Sequence, residues 1–240
     1  MAQPAHQRRW QLGGLVVVTT AAVAIAVSVL GGGAAPALVP GAAVPHAGEV
    51  RALFAGLPER GAALGPPRAP VTLTEFADLQ CPVCAAFARD VLPALIRREV
   101  RPGRLRIVFS ALAFIGADSA RGARMALAAG AQNRLWPLAD LFFLNQRDEN
   151  SGYVTDAFLT ALAEATPGLD PAAALARRST PAVSAALTGA ARQASRLGVA
   201  STPSFTLMRT GSAAVSFKPA DLQASSFTGP IERLAGVRAR

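Results

Sequence analysis

Only two cysteines occur in the 240-residue chain, and they stand three apart in Cys81-Pro82-Val83-Cys84. The preceding segment, Val71 to Ala77, is β-branched and aromatic and reads as a strand. The segment after the pair is alanine-rich and reads as a helix to about Arg98, kinked or restarted at Pro93. At such a strand-to-helix junction the first sulfur meets unpaired N–H groups and the positive end of the helix dipole, which favour a thiolate. The second sulfur lies one turn in, within bonding reach. Pro82, in the first turn, removes no helical hydrogen bond. Cys81 is therefore read as an exposed entering nucleophile and Cys84 as a shielded resolving thiol. The alternative is a static disulfide. A loop this short constrains the unfolded chain little, and stapled exported proteins usually carry several bridges, so the residues favour a redox dithiol.

The rest of the composition removes competing chemistries. The only histidines, His6 and His46, precede the segment read as the folded domain, which excludes Ser-His-Asp, Cys-His and His-based metal sites there. The only lysine, Lys218, lies outside any P-loop context, and two cysteines cannot form a four-cysteine zinc site. Cysteine, carboxylate, hydroxyl and arginine chemistry remain, and a dithiol needs neither metal nor organic cofactor. Formal charge is +9, but the arginines are scattered and Tyr153 is the only tyrosine, so no nucleic-acid partner is expected. The cluster Arg97, Arg98, Arg101, Arg104 and Arg106 is a candidate contact for anionic lipid; a solvated helix end and strand edge is the plainer reading.

No Asp, Glu, Lys or Arg occurs from Gln11 to Gly48. Leu12 to Leu30, preceded by Arg8-Arg9, would span about 28 Å as a helix, close to the roughly 30 Å hydrocarbon core. The arginines keep their side cytoplasmic and place the rest of the chain outside. Residues 1–30 are thus read as a cytoplasmic stub and transmembrane segment; a cleaved signal peptide ending near Ala35-Pro36-Ala37 is the alternative, giving a secreted or periplasmic protein. Residues 31–48, rich in Gly, Ala and Pro, read as a tether.

The folded domain is assigned to 49–238. A short amphipathic helix over 49–57 and a Gly/Pro-broken stretch lead into the first strand. Leu105, Ile107 and Phe109 mark a second strand, parallel to the first across the helical crossover. A helical insertion fills about 117–198: Asp118 or Ser119 is a candidate cap, a helix starts at Trp136-Pro137, and Thr155, Asp170-Pro171 and Thr180-Pro181 mark further starts. A hairpin of 204–208 and 213–217 and a final helix from about 229 to 237 complete an α/β fold with a mixed central sheet.

Two further features bear on the dithiol. Glu75, six residues before Cys81, would if buried near Cys84 have a raised pKa and could shuttle its proton; a surface Glu on a strand edge is the alternative. Asp78 either influences the thiolate or faces solvent. Pro203 opens a strand, where an ordinary trans bond is the default; a cis bond would turn the Thr202 backbone outward as a pairing edge for an extended substrate.

The run EFADLQCPVC, a following helix containing VLP, a long helical insertion and then STPSF together resemble the DsbA-like branch of the thioredoxin superfamily, in its membrane-anchored or secreted bacterial form. The resemblance covers roughly 49–238. It implies a thioredoxin fold, a redox-active Cys81–Cys84 pair, a cis Thr202–Pro203 bond beside it and Glu75 as the buried acid. Thr202, Pro82 and Val83 would border the substrate. It also implies disulfide transfer to or from exported proteins; the reading adopted is an oxidase, restored by a membrane redox partner, by family resemblance a quinone-linked reoxidase. A reductase or isomerase on the same scaffold, and a non-catalytic binding module with a static disulfide, are the alternatives. Three positions depart from the pattern: Val83 stands where the best-known DsbA has His, Ser201 where many relatives have Gly, and Pro137 where relatives continue a helix.

Overall fold

Residues 37–237 are described in a computed structural model of the chain. The expected transmembrane or signal segment, its stub and residues 31–36 of the expected tether lie outside them. Among the described residues no helix is long and apolar enough to cross a membrane. From residue 37 the tether stretch is docked on the domain: Val44 is buried in the core, Leu38 packs against it, and the Gly41 N–H donates to Glu164.

In chain order the elements are α1 (Ala47–Phe54), β1 (Glu59–Arg60), β2 (Ala63–Leu64), β3 (Val71–Asp78), α2 (Pro82–Ala86), α3 (Leu92–Leu95), β4 (Leu105–Leu112), α4 (Ala117–Gly130), α5 (Leu135–Leu144), α6 (Asp156–Ala165), α7 (Pro171–Arg177), α8 (Pro181–Arg196), β5 (Ser204–Arg209), β6 (Val215–Phe217) and α9 (Ala224–Ala235). The strand order is β1-β2-β4-β3-β5-β6, with β3 parallel to β4 and antiparallel to β5. This is the mixed sheet expected, with the helical insertion occupying α4 to α8.

β3 lies inside the sheet and is buried on both faces toward its end, from Glu75 to Asp78. The helix after it runs without a break from 82 to 100. Pro93 has no N–H to donate, and the helix widens into a π turn at Phe87–Val91 ahead of it, then into another at Ile96–Val100. The expected kink is thus absorbed as two widened turns. Arg101 and Arg104 are not a free basic patch: Arg101 donates to the Leu53 and Ala55 carbonyls, and Arg104 pairs with buried Glu99 at 2.8 Å.

Several elements differ from expectation. The Gly/Pro-broken stretch forms the β1–β2 hairpin, whose Ala63 and Leu64 pair with Val108 and Ile107 and extend the sheet. β4 continues three residues past Phe109, and β6 is confined to 215–217. The last helix begins at Ala224, not 229, because Phe227 and Ile231, one turn apart, are buried. Phe227 packs on Phe87, Phe205 and Phe217, which fixes the early turns despite Pro230. Thr155 and Asp170 cap their helices as expected, whereas neither Asp118 nor Ser119 caps α4.

The turn after β2 sets the spacing between hairpin and helix. Gly65 has φ +101°, and a Cβ there would lie 2.8 Å from the Leu105 carbonyl oxygen and 2.9 Å from Val100 Cγ1. Gly61 has φ +60° but open space around it. Urea unfolding should therefore show Gly61→Ala losing about 1 kcal/mol and Gly65→Ala losing more, about 2–3 kcal/mol. Equal losses would show that packing at Gly65 contributes nothing.

Candidate dithiol site

The end of β3 is anchored before the first sulfur is reached. Buried Asp78 accepts N–H bonds from Gln80 (2.9 Å), Phe114 (2.7 Å) and Ile115 (3.1 Å), while its carbonyl accepts from Cys81 N–H at 3.0 Å. It therefore ties the strand end to the loop after β4 and does not face solvent. Gln146, just beyond α5, donates to the Leu79 (2.6 Å) and Cys81 (3.1 Å) carbonyls. The Gln80 side chain donates to Ser119 Oγ and Asn150 Oδ1 and accepts from Asn150 N–H. The strand-to-helix loop is thus fastened to the insertion on both sides.

Cys81 is the N-cap residue of α2 in extended conformation, with Pro82 at the first helical position. The Phe76–Ser204 pairing of antiparallel β3 and β5 carries Thr202 back to the level of Asp78. The Thr202–Pro203 peptide is cis. Cys81 Sγ donates to the Thr202 carbonyl at 3.3 Å, across 121 residues of sequence. This contact corrects the expected exposure of Cys81, of which only 6% is accessible. Val83, in contrast, is 46% exposed and shares a cavity of about 420 Å³ with Thr202, Pro203, Leu197 and Phe217; Pro82 is exposed beside it. The structure therefore brings together Cys81, Cys84, Pro82, Val83, Thr202 and Pro203.

The two sulfurs are unbonded and differ in environment. The hydrogen bond from Cys84 lowers the Cys81 thiol to about 6; burial opposes this, and the Thr202 side chain and the Cys84 and Val83 N–H groups assist. Cys84 is fully buried, and that burial, followed by its hydrogen bond to Cys81 and the charge of Glu75, pushes its thiol far up. Glu75 is 1% exposed, between Phe109 and Phe205 in the sheet register, so the surface alternative does not hold. Burial, followed by the charges of Asp140 and Cys81, raises its carboxyl to about 8.

Sequence reasoning missed Gln146 and Asp140. Gln146 has no local signature, since its contacts depend on how α5 docks. Asp140 had one: it is the lone charge in LWPLADLFFL.

A sequence model of the thioredoxin family matches residues 58–214. The probable disulfide bond formation protein D of Bacillus cereus is 33% identical over 110 residues, 45% of this chain and 51% of that protein. The disulfide bond formation protein D of Bacillus subtilis is 30% identical over 114 residues, 45% of this chain and 50% of that protein. These matches span about half the length of the curated relatives. Among solved structures, oxidised BdbD from B. subtilis aligns with a TM-score of 0.65 at 21% identity, covering 73% of this chain and 93% of that one. Wolbachia pipientis α-DsbA1 aligns at 0.63 with 19% identity, covering 73% and 90%. At those identities the alignments speak to the fold.

The unequal thiols give a direct test: in the reduced chain, ultraviolet thiolate absorbance should titrate with a midpoint near 6 from Cys81 alone. A midpoint at the ordinary ~8.5 would contradict this account of the sulfur's surroundings. Glu75 gives a stability test of opposite sign. Its folded pKa of about 8 exceeds the ordinary 4.5, so its contribution is fully present below 4.5 and is lost as pH rises toward 8. Glu75→Gln should raise stability near pH 8, on the order of 1–3 kcal/mol, and change little in acid, as measured by denaturant unfolding at both pH values.

Proposed function

The chain belongs to the thioredoxin family, and from that membership we propose that it is an extracytoplasmic thiol-disulfide oxidoreductase, working as an oxidase on exported proteins. The observation that carries this reading is the inequality of the two sulfurs: Cys81 ionises near 6 beside the Thr202 backbone, while Cys84 is sealed and neutral. A stable Cys81 thiolate favours the reduced pair and makes the disulfide a strong acceptor of electrons. The names of the Bacillus relatives, which describe disulfide bond formation, support the same direction.

In the proposed reaction the resting form is the Cys81–Cys84 disulfide. A substrate thiolate attacks Cys81 Sγ, the bond to Cys84 breaks, and its electron pair stays on Cys84. Glu75, the buried acid on that side, gives Cys84 a proton. A second substrate thiolate then attacks the substrate sulfur of the mixed disulfide, and Cys81 leaves as a thiolate. The substrate gains a disulfide and the domain two electrons. A membrane redox partner, of the quinone-linked reoxidase kind, removes them. During the mixed-disulfide stage the substrate chain lies along Thr202 and Pro203 with Val83, the exposed apolar border of the cavity, and exposed Pro82 on its other side. Residues 49–238, with the docked stretch from residue 37, form the catalytic domain, and residues 12–30 with the rest of the tether hold it at the outer face of the cell membrane.

In the Cys84→Ser chain the Cys81 thiolate should attack a disulfide-bonded peptide and remain trapped as the mixed disulfide, releasing one peptide thiol, and the Cys81→Ser chain should trap none. A binding module with a static disulfide would trap none in either. The equilibrium potential against glutathione should lie above roughly −200 mV; a value near thioredoxin's about −270 mV would reverse the direction to reductase.

A further inference from the structure

The exchange just described requires a proton to reach Cys84, yet Glu75 is sealed from solvent and one of its oxygens, Oε1, has no hydrogen-bond partner. A second carboxylate lies on the same side of the sheet. Trp136, Asp140 and Phe143 fall at i, i+4 and i+7 on one face of α5. The rings of Trp136 and Phe143 flank Phe109, at 5.7 and 6.4 Å between centroids. Phe109 is the register partner of Glu75 in the parallel β3–β4 pair, so the two side chains project from the same face. Asp140, between the two α5 aromatics, is therefore set over Glu75.

Asp140 is itself 3% exposed, and its Oδ1 also lacks a partner. An acid in an otherwise apolar helix face, with neither cation nor hydrogen bond on that oxygen, destabilises the fold unless it is neutral. Its other surroundings are a cavity of about 220 Å³, lined by Asp140, Glu49, Arg89, Arg97, Pro93 and Leu144 among others. Glu49, exposed at the mouth, faces His46 at 3.4 Å, and Arg89 pairs with Asp90 at 2.9 Å. The charged groups facing Asp140 are thus Glu49 of α1, Arg89 and Arg97 of the two π turns, and Glu75 of β3.

We infer that Asp140 is a proton relay that connects Glu75, and through it Cys84, to the open cavity behind the dithiol helix. This inference rests on the oxidoreductase reading and adds a residue and a route to it. When the Cys81–Cys84 bond breaks, the Glu75 carboxyl passes its proton to Cys84, the Asp140 carboxyl reprotonates Glu75, and water in the cavity reprotonates Asp140. No electron moves along this path, and the reverse order returns the proton when the disulfide re-forms. Asp140 acts through Glu75 and is a positioning residue for the reaction. The acidities suit it: burial and the Glu49 charge raise Asp140 to about 7, just below Glu75 at about 8, so both exchange protons near neutrality.

The test is single-turnover disulfide transfer from the oxidised full chain to a dithiol peptide, across pH, for wild type, Asp140→Asn, Glu75→Gln and the double variant. Asp140→Asn should slow the transfer by roughly tenfold near neutral pH, part of the ~10² or more that general acid catalysis supplies. It should also flatten the pH profile around 7, and in the Glu75→Gln background it should cost nothing further. Asp140→Glu, which keeps a carboxyl at the cavity, should recover most of the rate. Wild-type transfer by Asp140→Asn, or an equal slowing with and without Glu75, overturns the relay while leaving the oxidoreductase reading in place. If the wild-type chain itself transfers no disulfide, that reading fails and the relay falls with it.

Discussion

The hydrogen bond between two sulfurs three residues apart is the interaction on which the rest of this site depends. It puts the proton on Cys84 and the charge on Cys81, and the helix geometry allows no other sharing. Cys81 caps the open end of α2, where N–H groups converge, while Cys84 is closed in by the core. Burial that would ordinarily suppress ionisation at both sulfurs is reinforced at Cys84 by its hydrogen bond to Cys81 and the charge of Glu75, with only the Asp78 backbone against it, and at Cys81 it is outweighed by hydrogen bonds.

That asymmetry needs a loop held in one place. Asp78 gathers three backbone N–H groups at the end of β3, and Gln146 clasps the carbonyls on either side of Gln80. The antiparallel register of β5 brings Thr202 to the first sulfur from the other direction. All of these contacts except the local Asp78–Gln80 bond join the central sheet or its dithiol loop to a segment far away in sequence. The helical insertion is consequently part of the site's frame as well as a cover for the sheet.

Much of this was legible in the chain. Val71 to Ala77 announced a strand by β-branching, Pro82 a helix start, and Thr155 and Asp170 their caps, all signals carried within a few residues. What was not legible depended on distant partners. β1 and β2 are two residues each and exist because Ala63 and Leu64 find an edge of β4. α9 extends back to Ala224 because Phe227 finds an aromatic cluster formed by three other elements. Cys81 looked open because its cover, the Thr202 carbonyl, comes from the far end of the domain. Glu75 could be suspected of burial from its strand, but no local pattern shows which residue lies over it.

Val83 stands exposed between the cysteines, where a visitor meets it, and it carries no titratable group. Counting the protons of the two sulfurs alone, the dithiol behaves as an electrode with two pH regimes. Below the Cys81 transition near 6, reduction takes up two protons with two electrons, and the potential falls by about 59 mV for each pH unit. Above it only Cys84 is protonated on reduction, and the slope halves to about 30 mV. A pair of this kind loses potential more slowly as its surroundings turn alkaline.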